Sequence, residues 1–491
     1  MANTSISSLA ILPTDCWLGI LENLSSKDYY SLLFVCKDIS SSVESLLFRK
    51  IAWEWRPTPL RRILLLFRAI VQKPKRASDI RQLSLLSHEE VDLTEDWEPP
   101  SCDTDSGEEV AKFKDVLQHA QAIIESARFP DADTWKLALE SGNPYAFVSV
   151  FLSQLENLQS LRLDYSFVWQ SGFPGLMLRH ALSSSTLSHF QSLTDVDYGA
   201  NICRDRISFG IPEIYNDPGY PECNPEQFAA WFYLPALRSL KIWLQTKKGI
   251  ELPGRRPDLS RLKRLILART TIQEAQIPDI LSLTQNLETL HLGMAYRWGK
   301  ETALQDGPSI LQGLDFVRES LTNLSFGIEY FPPTNCDVWL GDGEDKLSIP
   351  FYGFLKRFPN LRAIEVPVNL LSGWSSDTSS DLTLGLPDRV EQLCLRGDYQ
   401  AVDLNEWEDH QVLHLIANNA ATLRSHMPGL RQICMRTWCQ LWSPWVSAVD
   451  EKLKAARSAC TQEQIHFEVV SDDISNGLWT ETRTCPEREV Y

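Results

Sequence analysis

The sequence predicts an α/β solenoid preceded by an amino-terminal bundle of three short helices. Two observations lead there. Three apolar runs at helical spacing lie between Leu12 and Ile51, and a Leu-x-x-Leu-x-Leu pattern returns eight times in the rest of the 491-residue chain. A third observation, that no catalytic constellation survives inspection, directs the reading toward binding instead of bond chemistry.

Pro13 can open the first helix because the amide it lacks would be unpaired in the first turn anyway, and Trp17, Ile20, Leu21 and Leu24 follow at helical spacing. Ser25-Ser26-Lys27-Asp28 supplies side-chain oxygens for a second start, after which Leu32, Leu33, Cys36 and Ile39 continue the rhythm. Ser41-Ser42-Val43-Glu44 has the form of a capping box for a third helix, whose stripe is Val43, Leu46, Leu47 and Ile51. A bundle this small encloses little apolar area and usually needs a metal, disulfides or a partner to stay folded. Only Cys16 and Cys36 are at hand.

Leu12-Pro13-x-Asp15, Ile20-Leu21, Leu24, Asp28, Leu32, Val35-Cys36-Lys37 and Leu46-x-Phe48-Arg49, in that order, resemble the F-box. The resemblance implies a helical module at 8–54 that docks on the Skp-type adaptor of an SCF-type ubiquitin ligase, and through it on cullin and RING subunits. The rest of the chain would then choose a protein target for ubiquitin-dependent degradation. Carried over by position, Leu12, Pro13, Ile20, Leu21, Leu24, Leu32 and Val35 form the adaptor-facing surface or support it. Cys16 stands where the pattern has an aliphatic residue, and Ile39 where it often has an aromatic one; both meet the burial requirement. Each large apolar side chain buried is worth about 1.5 to 3 kcal/mol, so a handful offsets the entropy of association. Leu21→Asp is expected to abolish adaptor binding.

Size and charge set the boundaries. The chain is too long for one compact core. A net charge of −17 argues against general nucleic-acid binding, which needs a basic surface. Eleven cysteines without a Cys-x-x-Cys pair fit a reduced intracellular protein, in cytoplasm, nucleus or both. The apolar stretch Leu9–Leu12 is too brief for a signal-peptide core, and Ile63–Phe67, flanked by Arg61, Arg62 and Arg68, is far too short for a membrane span.

The repeating pattern appears at Leu158/Leu161/Leu163, Leu237/Leu240/Ile242, Leu262/Leu265/Leu267, Leu287/Leu290/Leu292, Leu321/Leu324/Phe326, Leu361/Ile364/Val366, Val390/Leu393/Leu395 and Leu430/Ile433/Met435. Repetition on this scale signals a solenoid, each copy supplying a short half-buried strand. These segments loosely resemble leucine-rich repeats. Ile80-x-x-Leu83-x-Leu85 reads as the first strand, Ile465-x-Phe467-x-Val469 as the last, and Leu187–Tyr198 as a degenerate copy anchored by Phe190 and Leu193. Ser166, Thr270 and Asn369 stand where a polar side chain can bond the backbone as the chain leaves the strand. The organisation is then a basic helical linker at 55–79, an irregular array at 80–475 with an acidic loop at 88–110, and a tail at 476–491.

By alternation the strand positions facing away from the core are Arg162, Asp164, Lys241, Trp243, His291, Glu365, Arg396 and Arg436. Seven of these, Asp164 excepted, are the candidate target-binding residues, because stacked strands create an extended binding face. The acidic loop, with Ser101, Thr104 and Ser106 among carboxylates, reads as solvated, or alternatively as a phosphorylation switch. Ile211–Pro225 reads as an insertion before a helix through Trp231, Ser372–Ser380 as a loop, and Trp438, Trp442 and Trp445 as one face of a capping helix.

Enzyme motifs fail. His410 and His414 stand one turn apart, but Gln411 occupies the place of the catalytic Glu of a zinc hydrolase. Gly293–Thr302 misses the phosphate-loop spacing, and no Gly-x-Ser-x-Gly elbow exists. No metal and no cofactor is expected. The alternatives to a substrate receptor are an F-box scaffold acting outside ubiquitin ligation and an unrecognised hydrolase built on the solenoid.

Overall fold

Three helices open the chain: α1 (Thr14–Leu21), α2 (Ser26–Leu32) and α3 (Lys37–Arg49). The computed structural model describes residues 14–21, 23–24, 26–35, 37–55, 60–87, 106–169, 172–200, 223–246, 250–252, 254, 256–297, 304–331, 351–373, 380–397, 407–438 and 446–472. The chain divides into two compact units. The first comprises Met1–Ser87, Ser101–Arg162 and His180–Leu193, and the second His88–Pro100, Leu163–Arg179 and Thr194–Tyr491.

In the first unit, Leu21 and Val43 form the buried centre of the three helices, with Leu24, Tyr29, Leu32, Leu33, Leu46 and Leu47 packed around them. The Tyr29 hydroxyl donates to the Leu21 carbonyl at 2.5 Å, satisfying an acceptor that the end of α1 would otherwise leave open. α3 begins at Lys37, so Ser41–Glu44 lies inside the helix and does not start it. The capping-box reading is thereby corrected: amides there already lie within the i→i−4 ladder and need no cap. Ile39 belongs to α3, not to α2.

Ile51 also changes role. It lies on a strand, β1 (Lys50–Trp55), which pairs in parallel with β2 (Gln82–Ser87) and sets Ile51 beside Leu83 and Trp53 beside Leu85. The first strand therefore precedes the one expected at Ile80–Leu85. Between them, α4 (Leu60–Gln72) buries Leu60, Ile63, Leu64, Phe67 and Ile70 at helical spacing, and α5 (Lys75–Asp79) follows. Phe67 meets Phe151 edge-on at 6.0 Å. The stretch expected as a basic helical linker is helical, and one face of α4 is buried.

Four further helices complete this unit: α6 (Ser106–Ala111), α7 (Lys114–Ala127), α8 (Ala132–Glu140) and α9 (Pro144–Leu152). The acidic segment thus becomes helical at Ser106, while 88–105 lies outside the described residues. Val116, Ala120, Ile123, Ile124 and Ala127 make a helical stripe on α7, and α9 is buried on every face. Its Pro144 occupies the first turn, and Asn143 caps it by accepting from the amides of Tyr145 and Ala146 at 2.9 and 3.1 Å. Strand β3 (Ser160–Leu163) comes next, with the amides of Gln159 and Ser160 donating to the Arg81 carbonyl.

The second unit is a parallel sheet whose strands follow one another in chain order: β4 (Asp195–Tyr198), β5 (Ser239–Ile242), β6 (Arg264–Thr270), β7 (Thr289–Arg297), β8 (Asn323–Phe331), β9 (Ala363–Pro367), β10 (Gln392–Arg396), β11 (Gln432–Trp438) and β12 (His466–Asp472). Each connection advances by one strand, as in a solenoid-like α/β fold. The pairing register lines up the sequence repeat: Leu240, Leu265, Leu290, Leu324, Ile364, Leu393, Ile433 and Phe467 occupy one rung, and all are buried. The degenerate copy is real, with Phe190 and Leu193 buried just ahead of β4.

Polar exits from the strands differ among themselves. Thr270 Oγ1 donates to the Leu244 carbonyl at 3.0 Å and accepts from the Ile272 amide at 3.2 Å. Ser166 bonds the Asp164 carboxylate instead. Asn369 is buried with neither amide atom hydrogen-bonded, so the backbone bond expected of it does not form. The helix after β11 starts at Val446, which leaves Trp438 on the strand; Trp442 and Trp445 lie outside the described residues.

Candidate functional site

Two places carry the residues predicted from sequence. The first is the surface of the three amino-terminal helices. Leu12 and Pro13 lie outside the described residues. Leu24 and Leu32 are half-buried against the helices' own centre, and Leu21 is only 1% exposed. Leu21 therefore supports the surface from beneath, which changes the meaning of Leu21→Asp: a carboxylate there would disrupt the folded module before it touched any partner. Among the described residues of the module, the large apolar side chains left open are Ile20 at 46%, Val35 at 54% and Phe34 at 89% exposed. Phe34 was missed from the sequence, although its place in the apolar run Leu32–Cys36 was a signal. The turn holding Phe34 and Val35 is fixed by amide bonds from Leu33, Phe34 and Val35 back to Tyr29, Ser31 and Leu32.

The second place is a rung of the parallel sheet in the second unit. Register sets Asp197, Lys241, Ile266, His291, Ser325, Glu365, Cys394, Cys434 and Glu468 side by side on neighbouring strands. Of these, sequence alternation named Lys241, His291 and Glu365 as facing away from the core, together with residues on either side of the rung. It misjudged their access: Trp243, His291, Glu365, Arg396 and Arg436 are all buried, as is Asp164. Only Arg162 is exposed and Lys241 half-exposed.

The physical reason is lateral pairing. Strands stand about 4.8 Å apart, so His291 and Ser325 meet at one register, while Arg396 and Arg436, two residues beyond the Glu365 rung, reach that carboxylate diagonally. His291 Nδ1 meets Ser325 Oγ at 2.8 Å. Arg396 donates to Glu365 Oε1 at 3.0 Å, and Arg436 Nε forms an ion pair with the same oxygen at 2.9 Å. Trp243 sits edge-on to Tyr165 at 6.1 Å. Hydrogen bonding to Cys434, then burial and the Glu365 charge, push the Cys394 thiol well above its ordinary range, so it stays protonated. The candidate target-binding set is thus mostly an internal polar network.

Among the described residues, no group of three or more His, Cys, Asp or Glu side chains is arranged to hold a metal ion, and no helix is long and apolar enough to cross a membrane. His410 pairs with Glu408 at 3.1 Å near the start of helix Asp409–His426.

The family model of the F-box domain matches residues 9–51. An F-box domain is present. No curated protein matches the chain. The F-box match takes in the first two residues of β1, and its last helix runs directly into that strand. The acidic Glu44 of the F-box is bound by Lys73 and by Arg76, whose Nη2 lies 2.5 Å away, and this pairing holds the Glu44 carboxyl below its ordinary range. The F-box is thereby clamped to the end of α4 and to α5.

Proposed function

We propose that the chain is the substrate-recognition subunit of an SCF-type ubiquitin ligase, working inside the cell. The F-box binds a Skp-type adaptor, and through it cullin and RING subunits; the strand array holds a protein target while separate enzymes transfer ubiquitin. The chain positions and performs no bond chemistry of its own.

The observation that carries this reading is the F-box match at residues 9–51, together with the apolar groups that the module leaves uncovered. An 89% exposed Phe34 beside a half-exposed Val35 is costly for a free protein and useful for one that docks. The adaptor surface accordingly centres on Ile20, Phe34 and Val35, underpinned by Leu21, Leu24 and Leu32.

Co-purification with a Skp-type adaptor and cullin tests the proposal. Phe34→Asp with Val35→Asp is expected to abolish adaptor capture while leaving the circular dichroism spectrum unchanged, since both side chains are exposed. Capture at the wild-type level would refute the surface. Adaptor capture without cullin would favour a scaffold outside ubiquitin ligation.

A further inference from the structure

The chain carries a net charge of −17, yet the stretch Arg238–Arg264 holds nine Lys or Arg residues against only Glu251 and Asp258. The fold collects part of this stretch at one corner of the second unit. The amides of Lys263 and Arg264 both donate to the Arg238 carbonyl, at 2.8 and 3.0 Å, so Arg238 and Lys263 are neighbours where β5 and β6 begin. Arg261 precedes them on a turn held at both ends. Leu259 and Leu262 anchor it in the core, the Ser260 amide donates to Asp258 Oδ1 at 3.1 Å, and Asn286 Nδ2 donates to the Ser260 carbonyl at 2.9 Å.

The charges at this corner are open. Arg238 and Arg261 are exposed and make no ion pair among the described residues. Lys263 pairs with Glu288 at 2.7 Å. Farther along the same row of pre-strand residues the charges cancel, because Arg362 and Arg431 both approach Glu391. Arg238 and Arg261, at the β5–β6 end, thus differ from Arg362 and Arg431 in facing no carboxylate partner among the described residues.

We infer that Arg238, Arg261 and Lys263 form a docking surface for an acidic stretch of a partner polypeptide, which, resting on the substrate-receptor reading, is the target held for ubiquitination. Width decides between polypeptide and nucleic acid. Arg238 and Lys263 stand one strand spacing apart, about 5 Å, so the patch matches one or two residues of an extended chain. A phosphate backbone needs neutralisation over many residues and would be repelled by the rest of this acidic chain. The fixed turn at Arg261 lowers the entropy lost on binding.

The test is fluorescence anisotropy with the full chain and a fluorescein-labelled peptide of alternating Glu and Ser. Arg238→Glu with Arg261→Glu is expected to weaken binding by about tenfold or more, and Arg238→Lys with Arg261→Lys to stay within about twofold of wild type. Added salt should weaken wild-type binding and leave the reversed variant nearly unaffected. Equal affinity of wild type and the reversed variant overturns the inference. So does equal binding of a Lys-Ser peptide, or tighter binding of oligothymidylate than of the acidic peptide. Adaptor capture is measured in parallel on the same variants. Capture without peptide binding removes the docking surface and leaves the ligase reading, whereas peptide binding without capture does the reverse.

Discussion

Glu365→Gln removes the one carboxylate shared by Arg396 and Arg436, which approach it at 3.0 and 2.9 Å with all three side chains no more than 5% exposed. Taking one partner from a buried ion pair costs about 3 to 5 kcal/mol, because a desolvated charge is left behind. Both arginines keep further interactions, so the lower end, about 3 kcal/mol, applies. With a urea slope of about 3 kcal/mol per M, the unfolding midpoint falls by about 1 M. Tryptophan fluorescence reports it, since Trp231, Trp243 and Trp407 are fully buried in this unit. The companion variant replaces all three residues together: Glu365→Leu, Arg396→Met and Arg436→Met. If desolvation is the cost, apolar side chains of similar volume recover most of the lost stability. A single variant that unfolds with the wild type, or a triple variant weaker than the single one, refutes the reasoning.

Three further outcomes follow from local geometry. Asn143→Ala removes the cap of a fully buried helix and is expected to cost about 1 kcal/mol, seen as a lowered melting temperature; an unchanged melt counts against the cap. Lys73 and Arg76 hold Glu44 below its ordinary value of 4.5, so its stabilising contribution is complete above 4.5 and lost as pH falls through the lowered folded value. The melting-temperature gap between wild type and Glu44→Gln should therefore be open near neutrality and close in strong acid, and a gap independent of pH would contradict the clamp. Burial pushes the Cys460 thiol up to about 11, whereas Cys16, expected to be buried, is exposed, so iodoacetamide in mild base should label Cys16 before Cys460 by mass spectrometry. Equal labelling rates would place Cys460 at the surface.

The apolar half of the second unit was legible because the Leu-x-x-Leu-x-Leu period is also the period of the sheet. Once Leu265, Leu290 and Leu324 share a rung, the hydrophobic side has no other register to adopt. What stayed hidden was whatever a single-strand pattern cannot encode. Alternation says that His291 and Glu365 leave the core face, but only the neighbouring strands reveal that Ser325, Arg396 and Arg436 meet them there. Ile51 was misassigned for a related reason, since its spacing from Leu47 fits a helix as well as its pairing with Leu83 fits a strand. Helices α7 to α9 lacked the repeat motif and so went unread, although the Val116–Ala127 stripe is plain at helical spacing.

Burial of the rung also shifts where recognition can happen. Stacked strands offer a partner two kinds of surface, the sheet face and the rims where chains turn into strands. Here the face positions around His291, Glu365, Arg396 and Arg436 are spent on one another, and opening them to a target would first require breaking a buried ion network. The rim carries no such penalty: Arg238 and Arg261 are already solvated, positioned by backbone bonds, and free of carboxylate partners among the described residues. A target that binds at the rim would leave Glu365→Gln defective in stability but normal in affinity, and would make Arg261→Glu defective in affinity but normal in stability. A target that instead enters the face would couple the two effects in Glu365→Gln, so measuring both quantities on both variants separates the alternatives.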